Sequence, residues 1–363
     1  MNQDIYAKLG DILETISFGV KRGPEFDTLL RALFEEEEAR VAIHVSPMAP
    51  DPPERVAERM GEDEKKVARL LDRMADKGLI YCSQRGDSKW YKLIQVVPGI
   101  FELQFMRGEI SPRTQELARL FDAYFKSAER EGKKVPLTPF ARVIPVEKTI
   151  SSGVRIFPYE TAAHYVNGAE IISLTTCYCR HEKRLLGHSC ENPLEVCLQF
   201  GSFARFLIQR GFGRQITKEE AHAVLSKSRE AGLIHTSNNT RDHVDFICNC
   251  CGCCCGILLS MKSSTMPSMA ASSNYVAKVD LQRCVACGEC AERCHMEAIS
   301  IEVEGAKVSS ERCVGCGVCG NFCPSEAISL VARGQREEPP PNFKTLLERQ
   351  IQEKVRLVSD SRG

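Results

Sequence analysis

The chain has 363 residues, enough for two or three domains that each bury a core. Its 48 basic and 48 acidic residues balance, so overall charge does not attract it to nucleic acid or to an anionic membrane. The N-terminus lacks the basic start and apolar run of a signal peptide, and the apolar stretch at 256–260 is too short to span a bilayer. We therefore expect a cytoplasmic protein with no transmembrane segment.

Residues 1–130 are predicted to form a winged-helix-like domain with flanking helices. Apolar residues at helical spacing mark a helix over 26–33, and two more helices follow a proline-rich break, at 54–61 and 63–78. The alternating residues 79–96 surround a Gly-Asp turn, as expected of a β-hairpin. Three helices followed by a two-stranded wing resemble a winged-helix domain.

A winged helix suggests DNA binding, and a docking or structural role is the alternative. Phosphate neutralisation supplies much of the affinity for DNA, so a recognition helix usually carries a basic excess. The third helix, residues 62–77, has five basic and five acidic residues. The structural role is therefore favoured, and no nucleic acid partner is expected.

The rest of the chain is predicted to contain two further domains and a tail, in an α+β multidomain protein. Ser111 and Pro112 begin a helix that runs to about Arg130. A cysteine-rich α/β middle domain follows over 131–275, with a proline-punctuated linker at 131–156 and a helix at 159–167. Within it, residues 218–237 repeat the pattern of residues 63–83. A ferredoxin-like domain at 276–335 and a helical tail at 336–363 complete the chain.

Nineteen cysteines are distributed unevenly along the chain. Cys82 stands alone, four cysteines lie between 177 and 197, six between 248 and 255, and eight between 284 and 323. Thiols stay reduced in the cytosol, so closely spaced groups indicate metal sites rather than disulfides.

The eight C-terminal cysteines form an internal repeat. Each copy has the spacing Cys-x2-Cys-x2-Cys-x3-Cys, the second copy begins 29 residues after the first, and both continue into Glu-Ala-Ile. Three thiolates at steps of three residues reach three irons of one cubane, whereas the fourth points away and ligates the other cluster. The predicted ligands are Cys284, Cys287, Cys290 and Cys323 for the first cluster, and Cys313, Cys316, Cys319 and Cys294 for the second.

On these motifs, residues 280–332 resemble a bacterial-type two-cluster ferredoxin. The resemblance implies two [4Fe–4S] clusters, electron transfer and a redox partner protein. The family usually has proline after the fourth cysteine, which Pro324 keeps and His295 does not. The histidine is expected to make that corner less rigid and to alter the potential of the cluster that Cys294 binds.

The middle domain has ten further cysteines, which are predicted to bind one or more additional iron–sulfur clusters. They are Cys177, Cys179, Cys190 and Cys197, then Cys248, Cys250, Cys251, Cys253, Cys254 and Cys255. Zinc is the alternative, since four thiolates make an ordinary tetrahedral site, and His181 and His188 are further candidate ligands. Adjacent cysteines project in different directions, so some of residues 253–255 must serve a second centre or react as thiols.

Two resemblances concern this cysteine-rich part. Cys-Cys-Gly occurs at 250–252 and at 254–256, and it resembles a motif of heterodisulfide-reductase catalytic subunits, which separate their elements more widely. The pattern as a whole also resembles ferredoxin-fused proteins of anaerobes, which implies no particular activity.

The sequence thus predicts an iron–sulfur protein that relays electrons to or from a partner oxidoreductase. Two alternatives stay open. One is a catalytic reductase subunit with its chemistry at residues 248–255, and the other is a redox-responsive winged-helix transcription regulator. Neither GxGxxG after a strand nor GxxxxGK[ST] occurs, so a self-contained nucleotide-dependent enzyme is not expected.

Overall fold

The computed structural model describes residues 4–17, 20–130, 138–188, 190–264, 271–334 and 336–360. The chain divides into two compact units. The first comprises residues 1–135, 176–189 and 205–214, and the second comprises 136–175, 190–204 and 215–363. The finer division that the sequence predicts, with boundaries at 130, 275 and 335, stays a prediction.

The described elements mix helix and sheet, which confirms the α+β class. The helices are α1 (Ile5–Ile16), α2 (Pro24–Leu33), α3 (Glu36–Ala42), α4 (Pro53–Met60), α5 (Glu64–Asp76), α6 (Phe101–Phe105), α7 (Pro112–Arg130), α8 (Ala162–Gly168), α9 (Tyr178–Leu185), α10 (Gly201–Gln209), α11 (Lys218–Glu230), α12 (Gly256–Lys262), α13 (Glu289–Glu292), α14 (Val318–Asn321) and α15 (Phe343–Asp360). The strands are β1 (Ile80–Arg85), β2 (Ser88–Leu93), β3 (Ala141–Ile144), β4 (Ile172–Thr176), β5 (Glu195–Phe200), β6 (Arg214–Ile216), β7 (Ile234–Asn238), β8 (Phe246–Cys250), β9 (Tyr275–Val279), β10 (Ile299–Glu302), β11 (Gly305–Val308) and β12 (Ile328–Ala332). Among these residues no helix is long and apolar enough to cross a lipid bilayer.

The first unit is mainly helical and carries one antiparallel hairpin. Helix α5 begins where the Asp63 side chain accepts a hydrogen bond from the Lys66 backbone N–H at 2.8 Å, and its apolar face is buried. Strands β1 and β2 pair from Ile80 with Leu93 to the turn at Gly86. The predicted helices and hairpin thus lie where the sequence places them, and the winged-helix likeness stays a prediction.

The sequence pattern shared by residues 63–83 and 218–237 corresponds to a shared local structure. Helix α5 leads into β1 through Gly78 at φ +72°, and α11 leads into β7 through Gly232 at φ +73°. Both glycines have the left-handed conformation that commonly ends a helix. At Gly78 a side chain would also clash, because its Cβ would lie 2.6 Å from the Cβ of Leu103.

A six-stranded sheet forms the centre of the second unit, in the order β3-β7-β8-β5-β4-β6. Strand β8 lies antiparallel between β7 and β5, with Ile247 opposite Leu198 and Cys250 opposite Ile234. Ile247 and Leu198 belong to a buried apolar core that also contains residues of α8 and α11. Because side chains alternate along a strand, Cys248 and Cys250 lie on the face opposite Ile247.

The ferredoxin-like segment belongs to the same unit. Strand β9 comes before the first cysteine motif and pairs antiparallel with β12, which follows the second motif. Strands β10 and β11 form a hairpin between the motifs. The segment is attached to the middle part of the chain by backbone hydrogen bonds, for example from the Val146 N–H to the Cys316 carbonyl at 2.9 Å.

Glu102, in α6, is a buried carboxyl group whose ionisation should oppose folding of the first unit. Burial raises the pKa of Glu102 from 4.5 to about 7, although a hydrogen bond from the Gly99 backbone N–H acts the other way. The folded chain therefore holds this proton more tightly than the unfolded chain does. The contribution of protonated Glu102 to the free energy of unfolding is present below about pH 4.5 and is lost as the pH rises through about 7.

We expect Glu102→Gln to remove this pH-dependent decrease in the free energy of unfolding, which amounts to about 2 to 3 kcal/mol between pH 5 and pH 8. Trp90 is the chain's single tryptophan and lies in β2, so its fluorescence during urea unfolding reports on the first unit. Substitution of the exposed Glu58 by Gln is the control. A Glu102→Gln chain with the pH dependence of the wild type would contradict the assignment.

Candidate metal centres

The first predicted ligand set lines one cavity. Cys284, Cys287 and Cys290 come from the first motif and Cys323 from the second, and apolar side chains such as Ile301 complete the wall. Cys287 is exposed, so this cavity faces solvent. The structure therefore brings together the four thiols that the crossed arrangement requires.

The second predicted set also converges, in more buried surroundings. Burial raises the pKa of Cys316 to about 12, and the neighbouring thiols of Cys294 and Cys313 contribute to the increase. Burial and the same neighbours hold the pKa of Cys319 well above its ordinary value. Cys294 thus lies with the thiols of the other motif, where a positively charged iron centre would favour the thiolate forms.

The first cysteine of each motif accepts a hydrogen bond from a backbone N–H group of the other copy of the repeat. The Ala306 N–H lies 3.5 Å from the Cys284 sulfur, and the Ala277 N–H lies 3.5 Å from the Cys313 sulfur. The two alanines are 29 residues apart, as are the two cysteines. The repeat therefore has the crossed contacts of an internal two-fold arrangement, and N–H···S bonds of this kind tune cluster potentials.

The fourth cysteines have a matching pair of donors. The Ala298 N–H lies 3.2 Å from the Cys294 sulfur, and the Ala327 N–H lies 3.2 Å from the Cys323 sulfur. Burial opposes ionisation of Cys323, but hydrogen bonds from Ser325 and the Ala327 N–H keep its pKa below the ordinary value. A lowered pKa favours the thiolate form that binds iron.

The backbone repeats the same unusual conformation in both motifs. Three pairs of equivalent positions have positive φ: Ala286 and Gly315, Gly288 and Gly317, Glu297 and Glu326. Residues other than glycine rarely adopt this conformation. Its recurrence at non-glycine positions indicates that the tight turn around each set of thiols is enforced by its surroundings.

Comparison with known proteins agrees with this geometry. The family model described as 4Fe-4S dicluster domain matches residues 277–330. No curated protein and no solved structure matches the chain. The two-cluster segment predicted from the sequence is thus confirmed, and the similarity indicates iron–sulfur electron transfer and metal binding for this part of the chain. The cluster ligands and the predicted fusion to a winged helix stay predictions.

His295 forms two hydrogen bonds with the middle part of the chain. Its Nε2 lies 2.8 Å from the Gly232 carbonyl oxygen, and its Nδ1 accepts the Gly252 backbone N–H at 3.3 Å. The residue after Cys294 therefore joins the second thiol set to the cysteine run of the middle part. A histidine ring can make two directional hydrogen bonds that proline cannot, and the effect of this residue on rigidity and on the cluster potential stays a prediction.

Four of the ten middle cysteines form a compact group. The Cys190 sulfur lies 4.0 Å from that of Cys251 and 3.6 Å from that of Cys254, and the Cys253 sulfur lies 3.7 Å from that of Cys254. All four sulfur atoms lie within 4.8 Å of one another. Both sequence groups thus contribute to one candidate metal centre.

Three more thiols meet on the sheet. The strand register places Cys197 of β5 opposite Cys248 of β8, and Cys250 is two residues further along the same strand. Hydrogen bonds with Cys197 and Cys250, together with burial, hold the pKa of Cys248 well above its ordinary value. These three buried thiols form a second middle group, distinct from the compact one.

The remaining candidates are distributed over both units. Cys177 precedes α9 and Cys179 lies within it, both buried and both in the first unit, whereas Cys255 is buried in the second. His181 is buried, with its Nε2 2.8 Å from the Glu109 carbonyl oxygen, and His188 is exposed. Neither histidine belongs to the compact thiol group.

The crossed ligand sets predict which substitutions have matching effects. A serine ligand alters the spectrum of the cluster it binds, so Cys294→Ser should resemble Cys316→Ser in the electron paramagnetic resonance of the reduced chain. Cys323→Ser should instead resemble Cys287→Ser. The opposite matching, with Cys294→Ser resembling Cys287→Ser, would show that each motif holds its own cluster.

Two equivalent glycines provide a matched test of how the second centre is supported. Gly288 and Gly317 have φ of +85° and +81°, but a Cβ on Gly317 would lie 2.3 Å from the Thr149 Oγ1, whereas one on Gly288 meets nothing within 4 Å. Alanine should cost about 1 to 2 kcal/mol of backbone strain at either site. Only Gly317→Ala should also accelerate the loss of cluster absorbance on heating. Equal rates for the two variants would refute the close packing at Thr149.

Proposed function

We propose that the protein transfers electrons through two [4Fe–4S] clusters, one facing solvent and one facing the middle part of the chain. The observation that carries this proposal is the difference between the two crossed ligand sets. The first includes the exposed Cys287, whereas Cys313 and Cys319 of the second are buried. Electrons would be exchanged with a partner oxidoreductase at the first cluster and passed inward to the second.

The rim of the first centre supports contact with a redox partner. Leu281 is 52% exposed, Val285 is 66% exposed and Ile301 is 40% exposed. Val285 and Ile301 line the cavity of the first thiol set. Exposed apolar side chains grouped at one site commonly mark a protein interaction surface. A partner that covers this rim would bring its own redox centre close to the first cluster.

The surroundings of the second centre support inward transfer. Gly317 packs on Thr149, and His295 binds Gly232 and Gly252 of the middle part. Contacts of this kind support a second cluster on the side of the middle thiols, which are candidates for a further redox or metal centre.

The regulator alternative receives little support from the charges on α5. Arg73 and Lys77 form ion pairs with Glu35 and Glu38, and Lys66 pairs with Glu62. Three of the five basic side chains of the predicted third helix are thus paired with carboxylates, whereas Lys65 and Arg69 are exposed. Pairing reduces the positive charge available to neutralise phosphate, so the proposed protein has a redox partner and no nucleic acid partner.

The reductase alternative depends on a substrate reaching the cysteine run. Of the six thiols between 248 and 255, Cys253 is exposed and the other five are buried. Burial of most of the run favours metal binding over thiol chemistry. Electron relay is therefore the function that the described residues support best.

Matched double variants test the proposed route. Purified without oxygen, the chain should take up electrons reversibly from dithionite and pass them to oxidised cytochrome c. Cys284→Ser/Cys287→Ser should slow the delivery severalfold, because the solvent-facing cluster is lost. Cys313→Ser/Cys316→Ser should leave delivery from the first cluster close to that of the wild type.

Iron and sulfide analysis of each variant provides the control, since each should keep about four iron and four sulfide in the remaining cluster. The reverse order of the two rates would overturn the assignment of the exposed cluster. A chain that keeps its clusters but accepts no electrons would overturn electron transfer altogether.

A further inference from the structure

The compact group of Cys190, Cys251, Cys253 and Cys254 has the dimensions of a site for one metal ion. A zinc–thiolate bond is about 2.3 Å long, so four thiolates at the corners of a tetrahedron lie about 3.8 Å from one another. Three of the six sulfur–sulfur distances in the group are 3.6, 3.7 and 4.0 Å, and all six are within 4.8 Å. These distances match direct coordination of a single ion.

A cubane cluster requires a wider arrangement. Each of its four thiolates binds a separate iron corner, so the iron and sulfide atoms lie between the thiolates and hold them apart. The ferredoxin cysteines provide the internal comparison. Across the described residues, the compact group is the only set of three or more cysteine, histidine, aspartate or glutamate ligand atoms that all lie within 4.8 Å of one another. No three of the eight ferredoxin thiols lie that close together, which agrees with the wider spacing that a cubane needs.

The composition of the group points to a thiophilic ion. Its four ligands are all sulfur, and three of them, Cys190, Cys251 and Cys254, are at least half-buried. Coordination by thiolates replaces the thiol protons and releases them to solvent. All-thiolate tetrahedral sites suit zinc or a single ferrous iron, and not magnesium or calcium.

We propose that Cys190, Cys251, Cys253 and Cys254 hold one zinc or ferrous ion in a tetrahedral site that contains no sulfide. Its four ligands are distinct from the two thiol sets of the ferredoxin-like segment. It assigns four of the ten middle cysteines to a mononuclear site, in place of the iron–sulfur cluster predicted for them.

The ion would also fix the loop that supports the second cluster. Gly252 lies between two of the ligands, Cys251 and Cys253, and its N–H binds the His295 ring. A Cβ at Gly252 would lie 3.1 Å from the His295 Cβ and carbonyl oxygen, so the two segments of the chain are in close contact there. Coordination of Cys251 and Cys253 therefore holds in place the backbone donor that His295 needs.

The test compares metal and sulfide contents of the full chain purified without oxygen. Cys253→Ser/Cys254→Ser should lose about one equivalent of metal and no sulfide relative to the wild type. Zinc or iron in the lost equivalent identifies the ion, and either result supports the proposal. The adjacent Cys255→Ser, outside the group, should retain that equivalent. Joint loss of about four iron and four sulfide in the double variant would overturn the proposal.

X-ray absorption on the wild-type chain provides a test that needs no variant. When zinc is bound, the extended fine structure beyond its absorption edge should show four sulfur neighbours at about 2.3 Å and no iron neighbour. When zinc is absent, the reduced chain should contain one iron in excess of sulfide, with the spectrum of a tetrathiolate iron. Equal iron and sulfide together with no zinc would refute the mononuclear site, and so would nitrogen or oxygen ligands at the zinc.

Discussion

The limited reach of a cysteine thiolate within a short motif is the constraint on which the second unit is built. Three thiols of one motif occupy three corners of a cubane, and the fourth corner needs a cysteine from elsewhere. In the predicted assignment each motif obtains it from the other copy, and Cys323 does lie with the first set and Cys294 with the second. The pairing of β9 with β12 holds the two ends of the repeat together. Neither half therefore forms a complete site alone.

Ordinary backbone geometry divides seven of the middle cysteines into two groups of thiols. Alternation along β8 directs Cys248 and Cys250 to one face of the sheet, beside Cys197. The chain then turns directly after the strand, and Cys251, Cys253 and Cys254 meet Cys190 from a distant loop. The cysteine run at 248–255, which forms one dense motif in the sequence, thus contributes to two neighbouring groups of thiols.

Features governed by local chemistry could be predicted from the sequence, and features governed by long-range packing could not. Ser111 and Pro112 mark the start of α7, and the cysteine spacing marks the two-cluster segment. The partners of Cys190 depend on a contact between segments 61 residues apart, and no local pattern reveals it. One missed signal was available, because Ala-Lys-Val recurs at 277–279 and 306–308, 29 residues apart, and contains both crossed N–H donors.

The crossed ligands also set the order in which the centres can be completed as the chain is synthesised from its N-terminus. In the proposed assignments, the last thiol of the mononuclear site is Cys254, that of the buried cluster is Cys319, and that of the solvent-facing cluster is Cys323. The cluster whose motif comes first along the chain is therefore the last to close. Assembly would proceed from the interior outward, and the site that meets the partner would become competent only after the inner centres had formed.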